Sequence, residues 1–111
     1  MIDKMNENND RTLCAANSYE QKYYFNPRFS NIPEDIQKEL HVLCVLFTED
    51  AGGIIQFVYD EDGTLLIETS AADNDYLYDE IDAGILVGEI QKKRRERLEQ
   101  LEKYYKVMFL C

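Results

Sequence analysis

The sequence has no tryptophan and a single histidine, His41, among its 111 residues. One histidine excludes a zinc site built from two histidines of the same chain. The three cysteines, Cys14, Cys44 and Cys111, form no CxxC pair and are odd in number, so we expect reduced thiols rather than disulfides or a metal. No apolar run reaches the roughly 18 residues of a membrane span, so no membrane partner is expected.

Basic residues are scarce through the middle of the chain, with no Lys or Arg between Lys38 and Lys92. The net charge at pH 7 is −10, and residues 1–91 hold 19 of the 22 acidic side chains. Duplex binding requires several phosphates to be neutralised, so we expect no direct binding to nucleic acid. The basic run KKRR at 92–95 does not alter this, because glutamates are interleaved with the basic residues around it.

Motifs of nucleophilic catalysis and phosphate binding are also missing, since there is no GxSxG and no glycine-rich phosphate loop. His41 and Cys44 are three residues apart, but Cys44 lies within the apolar run VLCVLF rather than in an electropositive setting. We therefore predict a protein that is not an enzyme, with no catalytic, cofactor-binding or metal-binding residues. A small Cys/His enzyme is the remote alternative.

The composition otherwise fits one globular domain, with 45% apolar residues. The first ten residues, MIDKMNENND, lack the basic start and the apolar core of a secretory signal. We predict a flexible leader at 1–10, a single α+β domain at 11–111, and a cytoplasmic location.

A β-hairpin is the clearest local pattern. Two apolar, β-rich runs, 54–59 and 65–69, flank an Asp-Gly turn at Gly63. An N-terminal strand or hairpin within 11–26 is a candidate addition to this small antiparallel sheet. We expect the sheet to pack against a helix at 33–50, where Pro33 opens an amphipathic pattern. Its segment 42–47 is apolar on every side, which favours a covered helix and leaves a strand as the alternative.

Five aromatic rings crowd residues 14–29, beside two cations. Stacking on nucleic-acid bases also requires a positive groove, which this acidic chain lacks. We therefore predict that Tyr19, Tyr23, Phe25 and Phe29 are mainly core or homodimer contacts.

The last predicted element is a long C-terminal helix from about 75 to 109, capped by Asp73 or Asp75. It would span roughly 52 Å at about 1.5 Å per residue, whereas a domain of this size is only about 35 Å across. The helix is therefore expected to bend at Gly84 or Gly88, or to project from the domain.

A projecting helix needs a covering partner, most simply a second copy of the chain. We predict a non-enzymatic protein–protein interaction or regulatory module that self-associates as a homodimer through this helix. The candidate interface residues are Leu86, Ile90, Leu98, Leu101, Tyr105 and Met108. The alternative is an acidic nucleic-acid mimic that inhibits a DNA- or RNA-binding enzyme, because residues 39–91 carry no basic side chain.

Three segments are distinctive as strings of residues, but none is a motif with a chemical role: YEQKYYFN, PEDIQKEL and FTEDAGGI. Together with the terminal helix, they resemble a family of small uncharacterised bacterial proteins, a domain of unknown function, over most of residues 12–110. The resemblance implies an intracellular single domain and no known activity.

Overall fold

The computed structural model describes residues 11–110, so the predicted flexible leader 1–10 lies outside the described residues. It contains a four-stranded sheet and three helices, and the predicted α+β class is confirmed. The strands are β1 (Thr12–Asn17), β2 (Lys22–Phe25), β3 (Ile54–Tyr59) and β4 (Leu65–Ser70). The helices are α1 (Glu34–Ala51), α2 (Glu80–Lys93) and α3 (Arg95–Tyr105), with a 3₁₀ turn at Pro27–Phe29 and a π turn at Lys106–Leu110.

The sheet is antiparallel throughout, in the order β2-β1-β3-β4. The predicted hairpin is confirmed as β3 and β4, with Tyr59 opposite Leu65 and Gly63 in the turn at a φ of +87°. This positive φ is the reason that the turn requires glycine. The N-terminal hairpin is confirmed as β1 and β2, and β1 places it beside β3.

The core lies between one face of the sheet and the helices. Along β3, Ile55, Phe57 and Tyr59 alternate inward and are fully buried. From α1, Leu40, Cys44 and Phe47 meet the core and are also buried. Segment 42–47 is helical, as favoured, but it is not covered on every side.

The N-terminal aromatic residues separate into core and surface. Phe29 is fully buried, and its ring centroid lies 5.6 Å from that of Tyr59 and 5.5 Å from that of Phe109. Tyr23 and Phe25 are partly buried against the core. Tyr19 is 46% exposed, and its hydroxyl holds a loop instead. Phe29 is thus a core residue, as predicted, whereas Tyr19 is not in the core, and the homodimer contact that was its alternative stays a prediction.

The predicted single helix from about 75 to 109 is wrong in its continuity. Residues 71–79 form a loop, and Arg94, with φ −113° and ψ 25°, separates α2 from α3. The break is at neither Gly84 nor Gly88. α3 packs on the sheet through Leu101 and Tyr105, and the longest dimension of the molecule is 44 Å rather than a projecting 52 Å rod.

The break at Arg94 is supported by tertiary contacts. The carboxylate of Glu39 on α1 accepts a hydrogen bond from Nε of Arg97 at 3.0 Å and lies 3.8 Å from Nε of Arg94. Residues 91–97 are all polar or charged, so this stretch has no apolar side chain that could pack against the domain and fix the direction of the helix. These contacts connect the α2–α3 junction to α1.

The loop at 71–79 is fixed at both ends. The Tyr19 hydroxyl donates to Oδ2 of Asp75 at 2.6 Å and accepts from the backbone N–H of Ala72 at 2.9 Å. The cap of α2 is Asp79, whose carboxylate accepts from two backbone N–H groups, rather than the predicted Asp73 or Asp75. The ring of Tyr78 lies against Gly53, so the two segments approach closely.

Candidate functional site

A groove of about 230 Å³ lies between α1 and α2. Its apolar lining comes from both helices: Leu43, Leu46, Phe47, Leu86 and Ile90. Charged side chains stand at its rim: Asp50, Glu89, Lys93 and Arg94. An apolar floor with a polar rim is typical of surfaces that bind another protein.

The two helices are antiparallel, because Glu39 near the start of α1 contacts Arg94 at the end of α2. Lys93 and Arg94 lie at one end of the groove, where Glu39 pairs with Arg94 and Glu89 also lines the rim. Within residues 11–110, Lys93 makes no ion pair. The Lys93 ammonium is therefore the cation at this end that can pair with an acidic partner.

Large apolar side chains remain exposed on the same two helices. On α1, Val42 and Leu46 are 54% and 57% exposed, one helical turn apart on the side opposite the buried stripe. On α2, Ile81 and Ile85 are 76% and 57% exposed, again one turn apart. The helical layer therefore presents more apolar surface than isolated surface residues would.

The six predicted interface residues lie in different environments: some line the groove and others are in the core. Leu86 and Ile90 line the groove and are partly buried. Leu101 and Tyr105 are 2% and 5% exposed and belong to the core of their own chain. The prediction that these two residues lie at an interface is therefore wrong.

The two remaining candidates lie outside the groove. Leu98 is partly buried against the core, and Met108 is 48% exposed on the π turn. Sequence reasoning missed Val42, Leu46, Ile81 and Ile85. Their signal is an i, i+4 apolar pair opposite the buried face of each helix.

A second candidate site joins β1 and α1. The Sγ atoms of Cys14 and Cys44 lie 3.8 Å apart and are fully buried, and the ring of His41 stacks on Tyr23 at 4.1 Å. The hydrogen bond to Cys14, together with burial, raises the pKa of the Cys44 thiol far above its ordinary value. A nucleophilic cysteine requires a lowered pKa, so this geometry favours a core thiol.

Within residues 11–110, no group of three or more His, Cys, Asp or Glu side chains is placed to hold a metal ion. Over the same range, none of the helices combines the length and the hydropathy needed to cross a membrane.

A model described as a family of unknown function (DUF6145) matches residues 10–111. The chain belongs to this family. The match extends over the sheet, all three helices and the groove, so the family shares the region that carries the candidate site. No curated protein and no solved structure matches the chain.

Proposed function

We propose that this protein is a non-enzymatic interaction module that self-associates through the groove between α1 and α2. The observation that carries the proposal is the combination of an apolar groove with exposed apolar side chains on the helices that form it. Fully burying one large aliphatic side chain contributes about 1.5–3 kcal/mol. Covering Val42, Leu46 and Ile85 would therefore stabilise a complex appreciably.

Charge supports a second copy as the partner. The Lys93 end of the groove is complementary to an acidic surface, and residues 39–91 of the chain carry no Lys or Arg. Two acidic chains repel each other at long range, but salt screens this repulsion beyond about 8 Å at physiological ionic strength. Contacts at the groove rim act at shorter range than that.

The experiment is sedimentation velocity from about 1 to 100 µM, the range in which a modest apolar interface is detected. We expect a reversible monomer–dimer equilibrium. Leu46→Asp should weaken it, because the new charge would be buried in the groove. Val107→Asp is the control, since Val107 is similarly exposed (58%) but is not a groove residue. A strict monomer at 100 µM would contradict self-association.

A further inference from the structure

The most exposed large apolar residues within 11–110 are neighbours in the loop 71–79. Tyr76 is 91% exposed and Leu77 is 95% exposed. Two adjacent large apolar side chains with almost no cover in their own chain form a protruding apolar tip. The free-energy cost of exposing these apolar side chains to water is removed only when a partner covers them.

The tip is held in place rather than loose. Both carboxylate oxygens of Asp75 are used: Oδ2 accepts from the Tyr19 hydroxyl at 2.6 Å, and Oδ1 accepts from the backbone N–H of Leu77 at 3.1 Å. On the other side of the tip, the ring of Tyr78 packs against Gly53. Because the backbone is fixed on both sides, binding through the tip would cost little ordering entropy.

The loop and the groove are complementary in charge and size. Acidic residues flank the tip, including the exposed Asp73 and Asp79, whereas the far end of the groove carries Lys93, which makes no ion pair within residues 11–110. A cavity of about 150 Å³ lined by apolar side chains holds a benzene ring. The groove, at about 230 Å³, is therefore large enough for one side chain of the tip.

The tip does not fill its own groove, because Tyr76 and Leu77 are 91% and 95% exposed. Lys93 lies at the last turn of the 14-residue helix α2, about 20 Å from the first turn that follows the tip. The Asp75 and Tyr78 contacts also hold the loop where it is. Only the loop of another molecule can enter the groove while both remain folded.

We propose that the Tyr76-Leu77 tip of one copy inserts into the α1–α2 groove of a second copy. The inference rests on the self-association proposed above and names the segment that fills the groove. Because loop and groove adjoin along α2, two copies related by a two-fold axis exchange tips reciprocally, which closes the assembly as a dimer.

The first test is sedimentation of Leu77→Asp beside the wild type and Val107→Asp. Leu77 has no cover within the chain, so its substitution leaves the fold intact. We expect the dimer dissociation constant to rise at least about thirtyfold for Leu77→Asp and to stay unchanged for the control. A wild type that dimerises and a Leu77→Asp variant that dimerises equally well would overturn this inference alone. A wild type that stays monomeric would overturn self-association and the inference together.

The second test locates the contact. In a Cys111→Ser background, a chain carrying Leu77→Cys is mixed with one carrying Leu46→Cys, and a short thiol cross-linker is added. Native Cys14 and Cys44 are fully buried and serve as the unreactive background. We expect cross-links between unlike chains. Cross-links formed mainly between like chains would show groove against groove, or tip against tip, and would overturn the proposal.

Discussion

The hydroxyl of Tyr59 on β3 donates a hydrogen bond of 2.8 Å to the backbone carbonyl of Leu101 on α3. Both residues are buried, and the Tyr59 ring also stacks on Tyr105 with centroids 4.2 Å apart. The Tyr59 side chain therefore connects α3 to β3, an inner strand of the sheet. This contact explains why α3 belongs to the domain rather than to an interface with another molecule.

The Tyr59→Phe variant tests this contact. Phenylalanine keeps the stacked ring but removes the hydroxyl, so we expect a loss of about 1–2 kcal/mol in the free energy of unfolding. Tyr24→Phe is the matched control, because Tyr24 is 38% exposed, and it should change stability by less than about 0.5 kcal/mol. Urea unfolding with an unchanged m-value measures both. Equal stabilities for the two variants would contradict the assigned role of the bond.

A second prediction concerns alkaline pH. Burial raises the pKa of Tyr59, and the hydrogen bond to Cys14 with burial raises the pKa of Cys44. The folded state thus keeps both protons after the unfolded chain has lost them, so the free energy of unfolding falls as pH rises. The stabilisation is fully present below the unfolded values, about 8.5 for Cys and 10 for Tyr.

We therefore expect stability to decline above about pH 8.5, by up to about 1.4 kcal/mol per pH unit for each group that has lost its proton in the unfolded chain. Urea unfolding at a series of pH values measures the decline. Tyr59→Phe should make it shallower above about pH 10, whereas Tyr24→Phe should alter it less. An unchanged slope in Tyr59→Phe would show that Tyr59 is not one of the linked groups.

A third prediction separates the core-thiol interpretation from the Cys/His alternative. With Cys111→Ser as background, Cys14 and Cys44 should react with a thiol reagent at neutral pH at least about a thousandfold more slowly in the folded protein than in denaturant. Their burial and the raised pKa of Cys44 both slow the reaction. Fast labelling of Cys44 in the folded protein would favour the enzyme alternative.

The elements that sequence predicted well are those with a local cause. Alternation of apolar residues around an Asp-Gly turn is enough to predict β3 and β4, and an apolar stripe after Pro33 is enough for α1. The break at Arg94 has no local cause of this kind, since neither Gly nor Pro lies within 91–97. The contacts seen at the break are made with Glu39, more than 50 residues earlier in the chain.

The candidate site was predictable only in part, for a similar reason. Helical spacing is enough to indicate Leu86 and Ile90 as an i, i+4 apolar pair. The groove that they line exists only because α1 packs beside α2. The start of α2 was ambiguous because Asp73, Asp75 and Asp79 are all competent caps, and in the structure Asp75 is bonded to Tyr19 and to Leu77 N–H within the loop. The predicted helix from about 75 therefore placed Leu77 in a helix rather than in this loop.

The last prediction contrasts two glycines. Gly84 is inside α2, and a Cβ there would meet nothing within 4 Å. Gly84→Ala should therefore raise the free energy of unfolding by about 0.5–1 kcal/mol, because alanine loses less backbone entropy on folding. Gly53 has a φ of +69°, and a Cβ would lie 2.6 Å from both the Ser70 carbonyl oxygen and the Tyr78 ring. Gly53→Ala should destabilise the protein by more than about 1 kcal/mol.

The free energy of unfolding of both variants is measured by urea unfolding at low micromolar protein concentration, where folding is observed apart from association. Gly53→Ala also displaces Tyr78, so hydrogen exchange should increase in the loop 71–79 but not in β4 beyond its last residues. A destabilising Gly84→Ala would contradict the open space that the structure places around this Cβ position.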